Sequence, residues 1–287
     1  MKIGFIGLGI MGESMCENII KKHNDDVYVC DLVPAQVEKL VAVGAIACKD
    51  AVEVIEKADT IFSMMLTSAH TKAVYQSALS VLKEGKICVD MATIEPSASV
   101  EVSKMVKEAG AQFMDAPVLK SKAAAIAGDL GIVVGGDKEV YDIIEPILAY
   151  MGTTIHYMGD NGKGLVAKIC ANTMLGGVQN AVNETLILAQ ANGLSIDNYV
   201  KAMALSTGSN AYLPAKLEAL RNADYTTAFS VENMNKDLHI CEELAKESNV
   251  SMPGLENDLG VYDWLMANGY AKQDYSASIE AIRNGRK

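Results

Sequence analysis

The stretch KIGFIGLGIMG at residues 2–12 decides the fold, because it carries three glycines spaced G-x-G-x-x-G directly after a short apolar run. A helical pattern of apolar residues follows the last glycine, and a second apolar run, VYVC at 27–30, ends at Asp31. A strand, a glycine turn, a helix, a second strand and an acid thus follow one another within the length of one βαβ unit. This order predicts a domain that binds a dinucleotide.

Each glycine of the turn has a separate physical role. Gly7 permits a tight turn out of the strand, Gly9 lets a pyrophosphate approach the backbone, and Gly12 lets the helix pack closely on the sheet. The N-terminus of that helix offers N–H groups and a partial positive charge to the phosphates. We predict that the whole turn contacts the cofactor, through Gly7, Leu8, Gly9, Ile10, Met11 and Gly12.

The acid after the second strand predicts which dinucleotide binds. The carboxylate of Asp31 can accept hydrogen bonds from both ribose hydroxyls of an adenosine, and it would repel a 2′-phosphate. Neither Leu32 nor Val33 supplies the cation that a 2′-phosphate needs. We therefore predict NAD(H) over NADP(H), with Asp31 and Leu32 among the cofactor contacts. A glycine turn that only joins a strand to a helix would leave the position of this acid unexplained.

The composition excludes several classes of function. The chain has 287 residues, half of them hydrophobic, and a net charge of −11. This acidic balance argues against a nucleic-acid partner or an anionic membrane surface. No apolar run approaches the ~18 residues of a membrane span, and we expect no signal peptide before the first strand. An anionic substrate must be attracted by a local basic cluster, against the overall field.

The cysteines and histidines do not indicate a metal site. The six cysteines are scattered and form no C-x-x-C motif, and the four histidines have no metal-ligand spacing. We expect reduced, buried thiols in a cytoplasmic protein, and no metal.

Strand and helix patterns alternate through the first half of the chain, which predicts a Rossmann-type, doubly wound and mainly parallel sheet. The predicted strands are 2–6, 27–30, 60–64, 87–90, 112–114, 131–135 and 154–157. The predicted helices between them are 10–22, 34–42, 50–56, 71–82, 97–109 and 138–150.

The second half has only helical patterns. A long helix is predicted from Leu165 to Asn192, with Gly193 as its stop. Shorter helices are predicted at 195–206, 212–221, 230–249, 254–268 and 274–284. We therefore expect an α/β chain with an NAD-binding domain at 1–160 and an all-helical domain at 161–287. The substrate should bind at the carboxyl ends of the sheet strands.

Lys168 is the sharpest catalytic candidate. Asn172 follows it by four residues, so both side chains project from one face of the predicted long helix, between apolar neighbours. Burial lowers the pKa of a lysine, and such a lysine can exchange a proton with a carbinol oxygen while a hydride moves. From spacing alone, an ordinary surface lysine is an equally good interpretation.

At this point the sequence resembles a known family, the β-hydroxyacid dehydrogenases, across nearly its whole length. The family includes 3-hydroxyisobutyrate dehydrogenase, tartronate semialdehyde reductase and 2-(hydroxymethyl)glutarate dehydrogenase, and is related to 6-phosphogluconate dehydrogenase. Its G-x-G-x-M-G turn is similar to residues 7–12, and its D-x-S-T-x-x-P segment is similar to DMATIEP at 90–96. Its catalytic G-x-G-x-x-x-K-x-x-N-N motif resembles residues 162–172, with Ala171 in place of the first asparagine. Its late K-D-L motif occurs at 236–238.

The resemblance implies roles for individual residues. Lys168 would be the general acid/base, and Asn172 would orient it and bind the substrate. Thr93 and Lys236 would contact the cofactor near the nicotinamide. The family's L-P turn looks like Leu66-Thr67 without the proline, which adds Met65 and Leu66 to the expected cofactor contacts.

The substrate motif departs from the family pattern. The family reads D-A-P-V-S-G-G and then G-T-L, whereas this chain reads DAPVLKS at 115–121 and GDL at 128–130. Lys120 and Ser121 therefore replace a glycine cradle with an ammonium and a hydroxyl, and we predict that both bind the substrate's anionic tail. The change is similar to that in sulfolactaldehyde reductases, where an arginine helps to bind a sulfonate. The alternative is that Lys120 only faces solvent.

These observations together predict an NAD-dependent oxidoreductase. It would interconvert a short anionic β-hydroxy acid, or a hydroxy sulfonate, and its semialdehyde. The alternatives are a specifically sulfolactaldehyde reductase-like activity, imine reduction on the same scaffold, a non-catalytic NAD-binding protein, and a methyltransferase. The resemblance also implies a homodimer or homotetramer that assembles through the helical domain.

Overall fold

A nine-stranded sheet is built by the first part of the chain in the computed structural model, which describes residues 1–285. The strands are β1 (Ile3–Ile6), β2 (Val27–Cys30), β3 (Ile46–Ala47), β4 (Thr60–Ser63), β5 (Ile87–Asp90), β6 (Gln112–Asp115), β7 (Val118–Leu119), β8 (Leu130–Gly135) and β9 (Gly152–Gly159). The order β3-β2-β1-β4-β5-β6 is parallel throughout. This is the strand order of a Rossmann fold, so the predicted doubly wound sheet is confirmed.

Helices connect these strands. They are α1 (Gly12–Lys22), α2 (Pro34–Val41), α3 (Ala51–Lys57), α4 (Ser68–Ser77), α5 (Pro96–Glu108), α6 (Lys122–Ala127) and α7 (Lys138–Leu148). Successive strand residues point to opposite faces and enter separate apolar clusters. Val29 packs in one cluster, whereas Tyr28 and Cys30 pack in the other. Both faces of the sheet are therefore covered, as the mainly apolar strands require.

The sheet departs from a purely parallel arrangement near β8, which pairs antiparallel with β6 and β7 but parallel with β9. The sequence analysis missed β3 and β7, which have two residues each, and the six-residue helix α6. Elements this short carry too few residues to establish a period.

Helices form the rest of the described chain. They are α8 (Lys163–Ala191), α9 (Ile196–Ala204), α10 (Tyr212–Asn222), α11 (Val231–Glu247), α12 (Pro253–Ala267), a 3₁₀ turn (Tyr275–Ser278) and α13 (Ile279–Arg283). The predicted helical second half is thus confirmed, although its last helix is split. Among residues 1–285, no helix is long and apolar enough to cross a membrane.

The chain forms two compact units, Met1–Lys168 and the residues from Ile169 onward. The division falls within α8, because Leu165 packs with Ala92 and Ile94 whereas Ile169 packs in the core of the helical unit. The domain boundary predicted after residue 160 lies just before this helix and stays a prediction.

Candidate functional site

The three glycines of the first turn meet three different surroundings. Gly7 has a φ of +91°, and a Cβ there would lie 2.5 Å from the carbonyl oxygen of Met64. A Cβ on Gly12 would lie 2.0 Å from the carbonyl oxygen of Gly7, so the start of α1 packs directly on the turn. A Cβ on Gly9 would meet no atom of the described chain within 4 Å. A side chain at Gly7 or Gly12 would therefore collide with the backbone, whereas Gly9 leaves space for a ligand.

Asp31 is fixed where the second strand ends. Its Oδ2 accepts a 2.6 Å hydrogen bond from the amide of Leu8, and its Oδ1 accepts a 2.8 Å bond from the amide of Val33. The first bond connects the acid to the glycine turn, so the two parts of the chain that are predicted to bind the cofactor are in direct contact. Each carboxylate oxygen has a second lone pair with which it can accept from a ribose hydroxyl.

The other predicted cofactor contacts within the compact unit Met1–Lys168 follow the carboxyl ends of neighbouring parallel strands. Met65 follows β4, and its Cε occupies the space beside Gly7 that a Cβ would need. Thr93 follows β5 and is half-buried. Three of the predicted contact residues, Ile10, Leu32 and Leu66, have exposed apolar side chains. A dinucleotide in a parallel α/β sheet binds at this edge.

A buried carboxyl group lies below this edge, and the sequence analysis did not single it out. Asp90, the last residue of β5, is 1% exposed, and its Oδ1 accepts a 2.7 Å hydrogen bond from Ser63. The hydroxyl of Ser63 also lies 2.8 Å from that of Tyr75. Burial is the main reason why the pKa of Asp90 is raised to about 7. In the sequence, the only indication of a role for Asp90 was its position as the first residue of the DMATIEP segment.

Asp115 holds the N-terminus of α8. Its Oδ1 accepts from the amide of Gly162 at 2.6 Å, and its Oδ2 accepts from the amide of Leu165 at 3.0 Å. A Cβ on Gly164 would lie 2.8 Å from the same Oδ2, so only glycine fits there. Burial raises the pKa of Asp115, and these amides oppose that shift. The glycines of the G-x-G-x-x-x-K motif therefore serve to fix the helix that carries Lys168.

Lys168 and Asn172 lie one turn apart on α8 and are 8% and 6% exposed. Asn172 donates a 2.6 Å hydrogen bond from Nδ2 to Oδ2 of Asp237, which is 2% exposed. Oδ1 of Asp237 lies 3.3 Å from Nζ of Lys236. Asp237 therefore joins two residues that were predicted separately. This acid is the middle residue of the K-D-L motif, and its position there was the only signal for it in the sequence.

Lys120 and Ser121 lie between β7 and α6. The backbone of Lys120 has a φ of +76°, which is unusual for a side-chain-bearing residue. Its ammonium lies 2.7 Å from Oδ2 of Asp129. Ser121 occupies the N-cap position of α6 without a side-chain capping bond. Their substrate contacts stay a prediction, but Lys120 is ion-paired rather than simply directed to solvent.

Within the described residues, no cluster of three or more histidine, cysteine or acidic side chains could hold a metal ion. All six cysteines are unpaired, and five of them are buried, but the expectation of buried thiols is wrong for Cys170, which is exposed.

Two family models match the chain. One, described as the NAD binding domain of 6-phosphogluconate dehydrogenase, matches residues 2–159. The other, described as "NAD-binding of NADP-dependent 3-hydroxyisobutyrate dehydrogenase", matches residues 162–282.

Individual proteins match over nearly the full length. The 2-(hydroxymethyl)glutarate dehydrogenase of Eubacterium barkeri is 34% identical over 98% of this chain and 94% of its own length. The NAD-dependent L-serine dehydrogenase of Pseudomonas aeruginosa is 34% identical over 96% of this chain and 95% of its own. The structure of Mycobacterium tuberculosis 3-hydroxyisobutyrate dehydrogenase with L-serine superposes with a TM-score of 0.92 at 27% identity, and covers 98% of this chain and 99% of that one.

Proposed function

Because the chain belongs to the 3-hydroxyisobutyrate dehydrogenase family of NAD-dependent β-hydroxyacid dehydrogenases, we propose that it interconverts a short anionic β-hydroxy acid and its semialdehyde, with Lys168 as the general acid/base. The observation that carries this proposal is the burial of Lys168 one helical turn from Asn172, on a helix whose N-terminus Asp115 holds. A buried lysine on a fixed helix has the restricted environment that proton transfer needs.

The roles of the side chains follow from this placement. Nicotinamide, when bound, accepts or supplies the hydride. Lys168 takes the hydroxyl proton of the acid during oxidation and returns a proton to the carbonyl oxygen during reduction. Asn172 orients the reacting oxygen, and its amide is itself oriented because Nδ2 donates to the buried Asp237. An amide held at one end presents its other polar atom in a defined direction.

Asp31 supports NAD rather than NADP. Its carboxylate is held in place by two backbone amides, so it cannot turn away from a ligand at the end of β2 without losing hydrogen bonds. A 2′-phosphate there would meet a fixed negative charge, and Leu32 and Val33 provide no compensating cation.

We assign an anionic tail of the substrate to Lys120 and Ser121, and this tail is a second carboxylate or, as the specific alternative, a sulfonate. Support comes from the exposure of the Lys120 side chain, which at 43% is accessible to a ligand. Assembly through the helical unit is a further proposal, supported by exposed apolar side chains on α8 such as Met174 and Leu188. A cytoplasmic location agrees with the unpaired cysteines and is likewise proposed.

The test is NADH oxidation with methylmalonate, tartronate and succinate semialdehydes and sulfolactaldehyde. Lys168→Ala should lower kcat with the best substrate by about 10²–10⁴-fold, while the Kd for NADH stays unchanged. Lys163→Ala is the matched control, because Lys163 begins the same helix but is exposed. A Lys168→Ala enzyme with normal kcat would exclude the acid/base role. If the wild type reduced none of these substrates and oxidised none of the corresponding acids, the proposed reaction would be wrong.

A further inference from the structure

The two ends of the segment between β7 and β8 are joined by an ion pair. The antiparallel register pairs Leu119 with Gly131, which brings the residues beyond them together. Nζ of Lys120 lies 2.7 Å from both the Oδ2 and the carbonyl oxygen of Asp129. The hydroxyl of Thr153 donates to the other carboxylate oxygen of Asp129. The ammonium thus has an internal anionic partner.

Both members of this pair depart from the family motifs, which have glycine and threonine at these positions. Glycine adopts positive φ at little cost, whereas a lysine with φ of +76° is strained. A strained non-glycine residue persists when its surroundings hold it in place, and here the pairing of β7 with β8 before it and the start of α6 after it do so. The ion pair joins the two departures, so they belong to one feature rather than to two separate surface changes.

The pair lies toward the cofactor end of its unit. Strand β7 continues the path of β6 along β8 beyond the carboxyl end of β6, so Lys120 and Asp129, which lie past the paired residues Leu119 and Gly131, are beyond the carboxyl ends of the parallel strands. The N-terminus of α1 lies at the same edge, because α1 follows the carboxyl end of β1, which is parallel to these strands. That terminus follows the glycine turn predicted to hold the pyrophosphate.

We propose that Asp129 is a specificity-determining residue that acts through Lys120, by occupying the ammonium until a second carboxylate on the substrate displaces it. The inference rests on the proposed function, since it needs the substrate tail to reach Lys120. The side chains of Lys120 and Asp129 are 43% and 50% exposed, so water reaches both. Exposed ion pairs are weak, and a substrate carboxylate can therefore exchange with Asp129. A substrate without a second anion leaves the pair intact.

Two acids with the same reacting group test this exchange. 2-(Hydroxymethyl)glutarate and 3-hydroxyisobutyrate share a hydroxymethyl group beside a carboxylate, but only the first has a second carboxylate on its tail. Asp129→Asn should lower KM for 2-(hydroxymethyl)glutarate about two- to fivefold, the upper part of the range expected for releasing an exposed ion pair. KM for 3-hydroxyisobutyrate and the Kd for NADH should not change.

Asp142→Asn is the matched control, because Asp142 also forms an exposed ion pair with a lysine, Lys138, and loses the same charge. It should leave both KM values unchanged. In a Lys120→Met background, Asp129→Asn should have no further effect. A change in KM that is equal for both acids, or that persists without Lys120, would overturn the inference.

Two further outcomes separate this inference from the proposed function. If neither acid is oxidised but a semialdehyde of the panel is reduced, the inhibition constants of glutarate and propionate against that reduction replace the KM values. Asp129→Asn should then lower the inhibition constant of glutarate, the dianion, and leave that of propionate unchanged. Turnover with no selective effect of Asp129→Asn overturns the inference alone. An enzyme without turnover on any of these compounds overturns the proposed function, and the inference with it. Asp129→Thr, which restores the family residue, provides a second variant if Asp129→Asn fails to fold.

Discussion

Asp90 should make the stability of the protein fall as the pH rises toward neutrality. The side chain is 1% exposed and its pKa is raised to about 7 in the folded protein, whereas an aspartate in an unfolded chain has a pKa of about 3.9. At a pH between these two pKa values, Asp90 is therefore protonated in the folded protein and ionised in the unfolded chain. A difference of about three pKa units at 1.36 kcal/mol each corresponds to about 4 kcal/mol. This contribution is fully present below pH ~4 and is lost as the pH rises through ~7.

Asp90→Asn should remove this dependence, because an amide of nearly the same shape stays neutral and can still accept the hydrogen bond from Ser63. The assay is urea unfolding of both proteins at several pH values between 4 and 8, followed by circular dichroism. The free energy of unfolding of the wild type relative to the variant should decline by about 4 kcal/mol across this range. Asp142→Asn, which changes an exposed acid, is the control. A difference that stays constant with pH would refute the reasoning, because Asp90 would then have the same charge throughout.

Further predictions concern the cofactor turn and the buried acid of the helical unit. Gly9→Ala should leave Tm unchanged but raise the Kd for NADH about tenfold or more, equivalent to at least about 1.4 kcal/mol, because its Cβ would point into open space. Gly12→Ala should instead lower the unfolding free energy by about 1–3 kcal/mol, since its Cβ would collide with the backbone of Gly7; equal thermal stability of the two variants would contradict this contrast. Asp31→Ala should reduce the preference for NAD over NADP, measured as kcat/KM with NAD divided by kcat/KM with NADP. A wild type that already prefers NADP would disprove the role assigned to Asp31. Asp237→Ala should lower kcat more than it weakens NADH binding, because Asn172 loses its acceptor, and an unchanged kcat would remove Asp237 from the site.

Sequence reasoning succeeded where a local pattern repeats or a backbone requirement is strict. The glycine turn could be predicted because two of its positions exclude any Cβ and the third faces open space. The doubly wound, mainly parallel sheet could be predicted because strand and helix patterns alternate regularly through the first half of the chain. The long helix could be placed because apolar residues recur at its period over 29 residues.

Features that depend on long-range pairing could not be predicted in this way. Asp115 holds the amides of Gly162 and Leu165, which are 47 and 50 residues away along the chain. Asp237 meets Asn172 across 65 residues. Their local sequence marks them only as acids beside apolar residues. Such contacts depend on how elements pack, and no period or turn rule encodes that.

Lys236 and Lys120 are both predicted to act near the ligand and are both paired with acids, but burial separates the roles of those acids. The side chain of Asp237 is 3% exposed beside Lys236, whereas the side chain of Asp129 is 50% exposed beside Lys120. Removing the partner from a buried charge is costly, so Asp237 is a fixed part of its site and orients Asn172. Water can replace the partner of an exposed charge at little cost, so Asp129 can yield to a ligand. In a chain of net charge −11, this difference leaves Lys120 able to exchange an internal anion for one carried by the substrate.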